Sequence, residues 1–446
     1  MSKDYTVKPI DKITQPFQRF IQQEKSGGLF LGISVIVALL LANSPLSGSY
    51  HHFLEHTFGI TWNGEKYFEF NIHHWINDGL MAIFFFVIGL ELKREIVGGE
   101  LSNPRKAILP IVAAIGGMVM PAIIFLLLNP SGAAHKGWGI PMATDIAFAL
   151  GVLFLLGKKI PLSLKIFLTA LAIVDDLGAV LVIAFFYTAN IELTYLLIGV
   201  LILVVMYLGN RLGIRSILFY AFLGICGVWT CFVISGVHAT IAAVLAAFTI
   251  PADVKIKENL FIAKISNYLE TFINTDPTEN TPTLTQDQLH ILEKINIATI
   301  AATPPLQRLE HAMHPFITFV IIPVFALANA GVDLNIDFET LFNTNIAVGV
   351  ALGLLVGKVL GVVGFTMLFM KLKWAALPEG MTIQSLFGVG FLASIGFTMS
   401  LFITSLAFSN PEFQTQAKIG IFAASIIGGI CGYVILNKKS INIKKK

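Results

Sequence analysis

Ile166–Tyr187 reads IFLTALAIVDDLGAVLVIAFFY, an apolar run in which Asp175 and Asp176 are the only charged side chains. A run of that length crosses a bilayer as one helix. On insertion scales an aspartate at the helix centre costs about 3 kcal/mol, so the adjacent pair costs ~6 kcal/mol unless it is protonated, paired or turned toward water. Intramembrane acids are therefore functional groups by default. Neighbours on a helix point about 100° apart, so the two carboxylates should meet different partners.

The rest of the chain suits that environment. Of 446 residues, 55% are hydrophobic and 13% charged, which is the composition of an all-α polytopic membrane protein. Hydropathy places twelve spans near 28–45, 72–91, 107–129, 139–157, 163–187, 193–210, 216–234, 236–250, 315–331, 345–370, 383–408 and 416–436. The count turns on Ser235-Gly236, the one break between the seventh and eighth. With an even number both termini share a side, and 26 of the 30 Lys and Arg residues fall in segments on it. Lys66, Lys136 and Lys418 lie opposite, and Lys358 lies inside a span. The positive-inside rule then puts both termini in the cytoplasm. The net charge of +3 reflects topology and points to no nucleic-acid partner. The expected organisation is a cytoplasmic N-terminal segment (1–27), spans one to eight (28–252), a cytoplasmic insert (253–313), spans nine to twelve (314–437) and a basic cytoplasmic tail (438–446).

Cys226, Cys231 and Cys431 fall in or beside apolar spans and give neither a disulfide framework nor a metal spacing. Near the start, Ile10, Ile13, Phe17 and Phe20 recur at helical spacing, as in an amphipathic helix on the cytoplasmic surface; a disordered tail is the competing reading. The insert contains polar runs from Asn274 to Asn280 and from Thr283 to Asp287. From Thr285 it offers a helix start followed by Leu289, Leu292, Ile295, Ile297 and Ile300, so this half is expected to fold against the bundle. A tolerated linker is a simpler reading of the insert than a regulator.

Few polar groups remain within the spans: Asp78, Thr144 with Asp145, Asp175, Asp176, His238 and Lys358. In span four, Gly137, Gly139 and Pro141 precede Thr144-Asp145, and span eleven carries Gly388, Gly390, Ser394 and Gly396. Proline and glycine free backbone carbonyls that a regular helix would pair, so Pro141, Gly388, Gly390 and Gly396 are the expected helix-break residues. Each interrupted span is the middle of three, spans 3–5 and 10–12, which start from opposite faces. That is the pattern of an inverted-topology repeat. Gly353, Gly357, Gly361 and Gly364 mark a close-packing face of span ten. Oxygen ligands beside two carboxylates suit a small hard cation, Na+ or Li+, and no Cys/His cluster invites zinc or copper. Two other classes stay open on the residues alone. An intramembrane aspartyl protease needs two aspartates sharing a proton across a cleft. Asp175 and Asp176 diverge on one helix, yet Asp145 with Asp176 is a conceivable dyad. A channel or a proton-coupled symporter would share the same buried acids.

Eight stretches carry a resemblance to a known family: Phe86–Leu101 (FVIGLELKREIVGGEL), Ala143–Gly151 (ATDIAFALG), Leu171–Ala179 (LAIVDDLGA), Ser235–Ala243 (SGVHATIAA), Arg308–Pro315 (RLEHAMHP), Pro323–Val332 (PVFALANAGV), Gly353–Gly361 (GLLVGKVLG) and Gly390–Phe402 (GFLASIGFTMSLF). In order and spacing they resemble the NhaA family of sodium/proton antiporters over nearly the whole chain. The clearest departure is the long loop before Arg308. The family is itself a type example of paired interrupted helices in inverted repeats, so that agreement is not independent.

The resemblance implies that Asp176 is the main cation-binding carboxylate, Asp175 the second, Asp145 and Thr144 cation-site residues beside the helix break, Lys358 the lysine of span ten, and Asp78 an accessory acid. For Lys358 two roles stay open: a partner of Asp175 that releases a proton, or a fixed bolt between helices. Glu91, Lys93, Arg94 and Glu95, together with Glu310, His311 and His314, would form a pH-responsive cluster at the cytoplasmic face; helix-end anchoring is the plainer alternative. His238 would tune the pH profile or simply make a neutral hydrogen bond near the other face. The implied activity is electrogenic, pH-regulated export of Na+ or Li+ in exchange for H+ across a bacterial inner membrane, without a cofactor. Membrane lipid is the surroundings, and a homodimer through the loop at 46–71 is an open option. The chemistry is intelligible on its own. A bare carboxylate is costly at low dielectric, so its oxygen takes either a proton or a cation, and alternating access exchanges one for the other.

Overall fold

The computed structural model describes residues 25–62, 65–157, 160–188, 191–275, 283–333 and 344–443. The expected surface helix with Ile10, Ile13, Phe17 and Phe20 lies outside these residues, as do the polar run at 276–282 and the last three lysines. Apolar runs fold as helices, and caps, glycines and prolines set their ends. Helices α1 (Lys25–Ala42) and α2 (Ser47–Glu55) meet at 109°. An antiparallel hairpin of β1 (Thr57–Trp62) and β2 (Glu65–Asn71) follows. The chain then widens into a π turn at Trp75–Leu80 and continues as α3 (Met81–Gly98). Pro104 occupies the first turn of α4 (Pro104–Leu128), behind Asn103, whose side chain accepts from the Arg105 N–H at 3.1 Å.

The first interrupted span comprises a 3-10 stretch, Ala133–Met142, three non-helical residues, and α5 (Ile146–Leu155). It is followed by α6 (Leu162–Phe186), α7 (Leu193–Arg211) and α8 (Ile217–Ser235). Gly236, at φ +80°, ends α8 in the left-handed region, and α9 (Ala239–Thr249), which follows, is short. The insert folds as α10 (Glu258–Thr275) and α11 (Gln286–Ala302), packed on each other. After it come α12 (Pro305–Asn329), α13 (Ile346–Lys371), the second interrupted pair α14 (Ile383–Ala393) and α15 (Phe397–Ala407), and α16 (Pro411–Ile443).

Among the described residues, eight helices are long and apolar enough to span a membrane, or ten when each bent pair counts once. The two other expected spans are α3, whose last turns carry Glu91, Lys93, Arg94 and Glu95, and the eleven-residue α9. Two boundaries move. The helix before span nine begins at Pro305, so Glu310, His311 and His314 ride on α12 itself, and α16 runs through Ile443 into the expected tail. In the insert, Thr285 forms the capping box with Gln288, but Leu289, Leu292, Ile297 and Ile300 are exposed. The buried side chains of α11 are Gln288, Ile291 and Ala298, and the helix packs on α10.

Packing divides the helices into two sets. α4, α6, α13, α14 and α16 pack on one another, whereas α3 packs on α9 and α12, α12 on α1, and α7 on α8. The sets meet where α3 lies against α6, α1 against α5 and α12 against α15. Within the first set, α4 and α13 cross with their backbones in contact. A Cβ at Gly361 would run into the Gly116 carbonyl, and one at Gly357 would stand 2.6 Å from Pro121 Cα. The glycine stripe of span ten thus serves close approach, chiefly to span three, although Gly364 faces open space. Gly361→Ala should therefore lower stability by about 1–3 kcal/mol through overpacking, whereas Gly364→Ala should be neutral; thermal unfolding of the purified protein in detergent compares them.

Candidate functional site

Asp175 and Asp176 sit mid-way along α6 and are 0% and 1% exposed. Lys358, also 0% exposed, follows directly on a π turn, Gly353–Gly357, within α13. Its Nζ lies 2.5 Å from Asp175 Oδ2, an ion pair sealed between the two helices. Such a pair adds little net stability over an apolar one, yet removing one partner leaves a buried charge uncompensated. The other Asp175 oxygen, Oδ1, and Asp176 Oδ1 are buried without a hydrogen-bond partner. Each orphaned group carries a desolvation penalty of roughly 1–3 kcal/mol, and a proton or a cation would relieve it.

Asp145 behaves differently, because both its oxygens are engaged. It caps α5 by accepting from Phe148 N–H at 3.0 Å through Oδ1. Through Oδ2 it accepts from the backbone N–H of Thr398 at 2.9 Å and from the Thr398 hydroxyl at 2.6 Å. One carboxylate thereby holds the N-terminal ends of α5 and α15, where helix dipoles favour negative charge. The two interruptions are stitched further by Asp145 N–H to Ile395 C=O (2.6 Å), Thr144 Oγ1 to Ala393 C=O (2.9 Å) and Ser400 Oγ to Ile140 C=O (2.8 Å). Thr144 also stands beside Asp175. A dyad of Asp145 and Asp176 sharing a proton, as a protease needs, is disfavoured by this full set of donors on Asp145.

The break residues divide. Pro141 lies in the 3-10 stretch, and Gly396 lies at the second break, where a Cβ would come 3.0 Å from the Ala143 carbonyl. Gly388 and Gly390 instead lie inside regular α14, with Gly388 facing Leu436 and Gly390 facing Val359. They serve helix packing, and the interruption itself falls at Ser394–Gly396.

Asp78 occupies the π turn ahead of α3 and pairs with His74 (Nε2 to Oδ2, 3.0 Å), with His238 nearby. His238 Nε2 lies 3.1 Å from the Tyr187 carbonyl. At the opposite end of α3, Arg94 contacts Glu95 (3.0 Å) and Glu310 (3.1 Å). Lys93 donates to the Phe248 and Ile250 carbonyls at the end of α9, so it works as a helix cap. Glu91, on the same helix, is within electrostatic reach of Arg94, Glu95 and Glu310 and of Asp176. A cavity of about 850 Å³ adjoins Arg94, Arg308, Glu310, His311 and His314.

The family model described as Na+/H+ antiporter 1 matches residues 18–436. The chain belongs to this family. It is 47% identical over 428 residues to the Na(+)/H(+) antiporter NhaA of Oleidesulfovibrio alaskensis, covering 96% of this chain and 95% of that one. It is 48% identical to the NhaA of Sulfurimonas denitrificans, with 96% of each covered. With Syntrophotalea carbinolica NhaA 2 it shares 47% over 96% of this chain and 97% of the relative. A member of this family is a transporter, and the apolar helices make this chain an integral membrane protein.

Sequence reading missed Thr398, Ser400 and Tyr187, which complete the polar contacts around the crossing. Thr398 had a signal: a hydroxyl residue two places beyond Gly396, at the start of a half-helix, is placed to meet a neighbour's carboxylate. The Lys358–Asp175 geometry makes a stability prediction. Lys358→Met should cost about 3–5 kcal/mol by stranding Asp175, and Lys358→Met with Asp175→Asn should recover most of it. A double variant that unfolds no later than Lys358→Met in a detergent melt would contradict the compensation.

Proposed function

We propose that this chain exports Na+ or Li+ in exchange for H+ by letting cation and proton compete for Asp176 and Asp175. The observation that carries the reading is the pair of buried, unpartnered carboxylate oxygens on consecutive residues, set beside two helix breaks and a lysine. Asp176 Oδ1, Asp175 Oδ1 and the Thr144 side chain are the oxygen ligands this arrangement offers a small hard cation. Asp145 holds the crossing that aligns them. Lys358 neutralises Asp175 until a cation arrives and claims that carboxylate. Cation binding then discharges a proton from Asp176 and a second from the Asp175–Lys358 pair, so net charge moves and exchange is electrogenic. Access alternating between an alkaline interior and a more acidic exterior drives export with no further energy source.

The basic end, where Arg94 and Glu310 meet, is assigned to the cytoplasm by the positive-inside rule, with both termini on that side of an inner membrane. Glu91, Glu95, Glu310, His311 and His314, gathered around Arg94, are the groups through which cytoplasmic pH would control activity. Lys93 is their anchor. A homodimer through the 46–71 region, and lipid contact with the exposed apolar helix faces, complete the proposal.

Inside-out vesicles from an antiporter-deficient host, acidified within, test it. Na+ and Li+ added at pH 8.5 should dissipate the proton gradient, K+ should not, and Asp176→Asn should abolish the response. Membranes that contain the folded wild type and keep their gradient under every cation would refute exchange.

A further inference from the structure

We infer that Tyr187 is a positioning residue of the exchange site, a latch at the outer end of α6 that fixes the first half of interrupted span four and receives the second helix set; this rests on the antiport reading. Tyr187 directly follows the last residue of α6, about three turns beyond Asp176. Its hydroxyl donates to the Lys136 carbonyl at 2.7 Å and accepts from Gly139 N–H at 3.2 Å. One oxygen thus grips the 3-10 stretch Ala133–Met142 at two points. The ring stacks on Trp138, with centroids 6.4 Å apart. Gly139 is required for this approach, since a Cβ there would stand 2.8 Å from the phenol oxygen.

The backbone of the same residue faces the other way. Its carbonyl lies 3.1 Å from His238 Nε2, at the cap of α9. α9 packs on α3 in the second helix set, and His238 neighbours Asp78. Tyr187 therefore joins three parts: the helix that carries the two aspartates, the half-span that leads into Thr144 and Asp145, and the helix set packed against them.

A 3-10 stretch has weaker hydrogen-bond geometry than an α-helix and is rarely long, so its position must be held from outside. At one end Asp145 and Thr398 hold the crossing. At the other Tyr187 does so. Releasing that end lets the half-span drift, and Thr144 drifts with it relative to Asp175 and Asp176. A group that only supports the fold would alter stability; a positioning group alters cation affinity.

The test uses full-length protein in proteoliposomes, with Na+ titrated against proton flux for wild type, Tyr187→Phe and Gly139→Ala. Phenylalanine keeps the ring on Trp138 and removes both hydroxyl bonds. The expected result is an apparent KM for Na+ raised roughly three- to tenfold, the scale of one or two hydrogen bonds. Maximal rate and unfolding temperature should stay near wild type. Gly139→Ala, which pushes the phenol away from the other side, should shift KM in the same direction. An unchanged KM in Tyr187→Phe overturns the inference, as does a joint loss of maximal rate and thermal stability at constant KM. Wild type that shows no Na+-dependent flux in the same liposomes overturns antiport itself, and the latch falls with it.

Discussion

One carboxylate holding two helix ends is the constraint on which the rest depends. Interrupting a helix inside a membrane exposes N–H and C=O groups that lipid cannot satisfy. Here two interrupted spans cross, and each supplies the other's missing partners. Asp145 accepts from both half-helices, while Thr144, Ser400 and the Ile395 carbonyl close the remaining bonds. The breaks are tolerated because they coincide. On the next helix, beside the crossing, Asp175 and Asp176 each keep one buried carboxylate oxygen without a hydrogen-bond partner.

Beside the crossing, glycine sets how near the helices come. Gly116, Gly357 and Gly361 let α4 and α13 touch backbone to backbone, and α4 packs on α6 as well, so that Lys358 of α13 and Asp175 of α6 meet in direct contact beside it. The first helix set is accordingly knit by short distances around both interrupted spans. The second set meets it along fewer contacts, among them His238 to Tyr187. Two well-packed bodies that meet along a limited seam are the arrangement in which a shear or hinge can operate. The division of polar bonds fits that. Asp145–Thr398 and Lys358–Asp175 lie within one set, and Arg94–Glu310 and the cap by Lys93 lie within the other.

Much of this was legible in the chain. Asp175, Asp176 and Lys358 stand out because charge within an apolar run has no packing explanation, and the structure brings Lys358 to Asp175. Thr144, Asp145 and Pro141 were marked by a proline and glycines ahead of an acid. The break in span eleven was located only to the cluster, because glycine serves close approach as readily as interruption; Gly388 and Gly390 do the first and Gly396 the second. Tyr187 and Thr398 were not singled out because tyrosine and threonine are ordinary at helix ends, and their partners lie far away in sequence. Likewise Leu289, Leu292, Ile297 and Ile300 have the spacing of a buried stripe, but α11 meets α10 on another face.

The insert closes on itself before it reaches the bundle. Lys255 and Ile256 N–H groups both donate to the Ala301 carbonyl, and Leu306 N–H donates to Pro251 C=O, so the chain leaves and returns through one neck. The loop-closure entropy of everything beyond that neck is met locally and grows slowly with length. From the bundle's side, α10 and α11 are a single attachment point. Chain could be shortened, lengthened or replaced between them, or a reporter domain spliced in, with the spacing of α9 and α12 left as it stands.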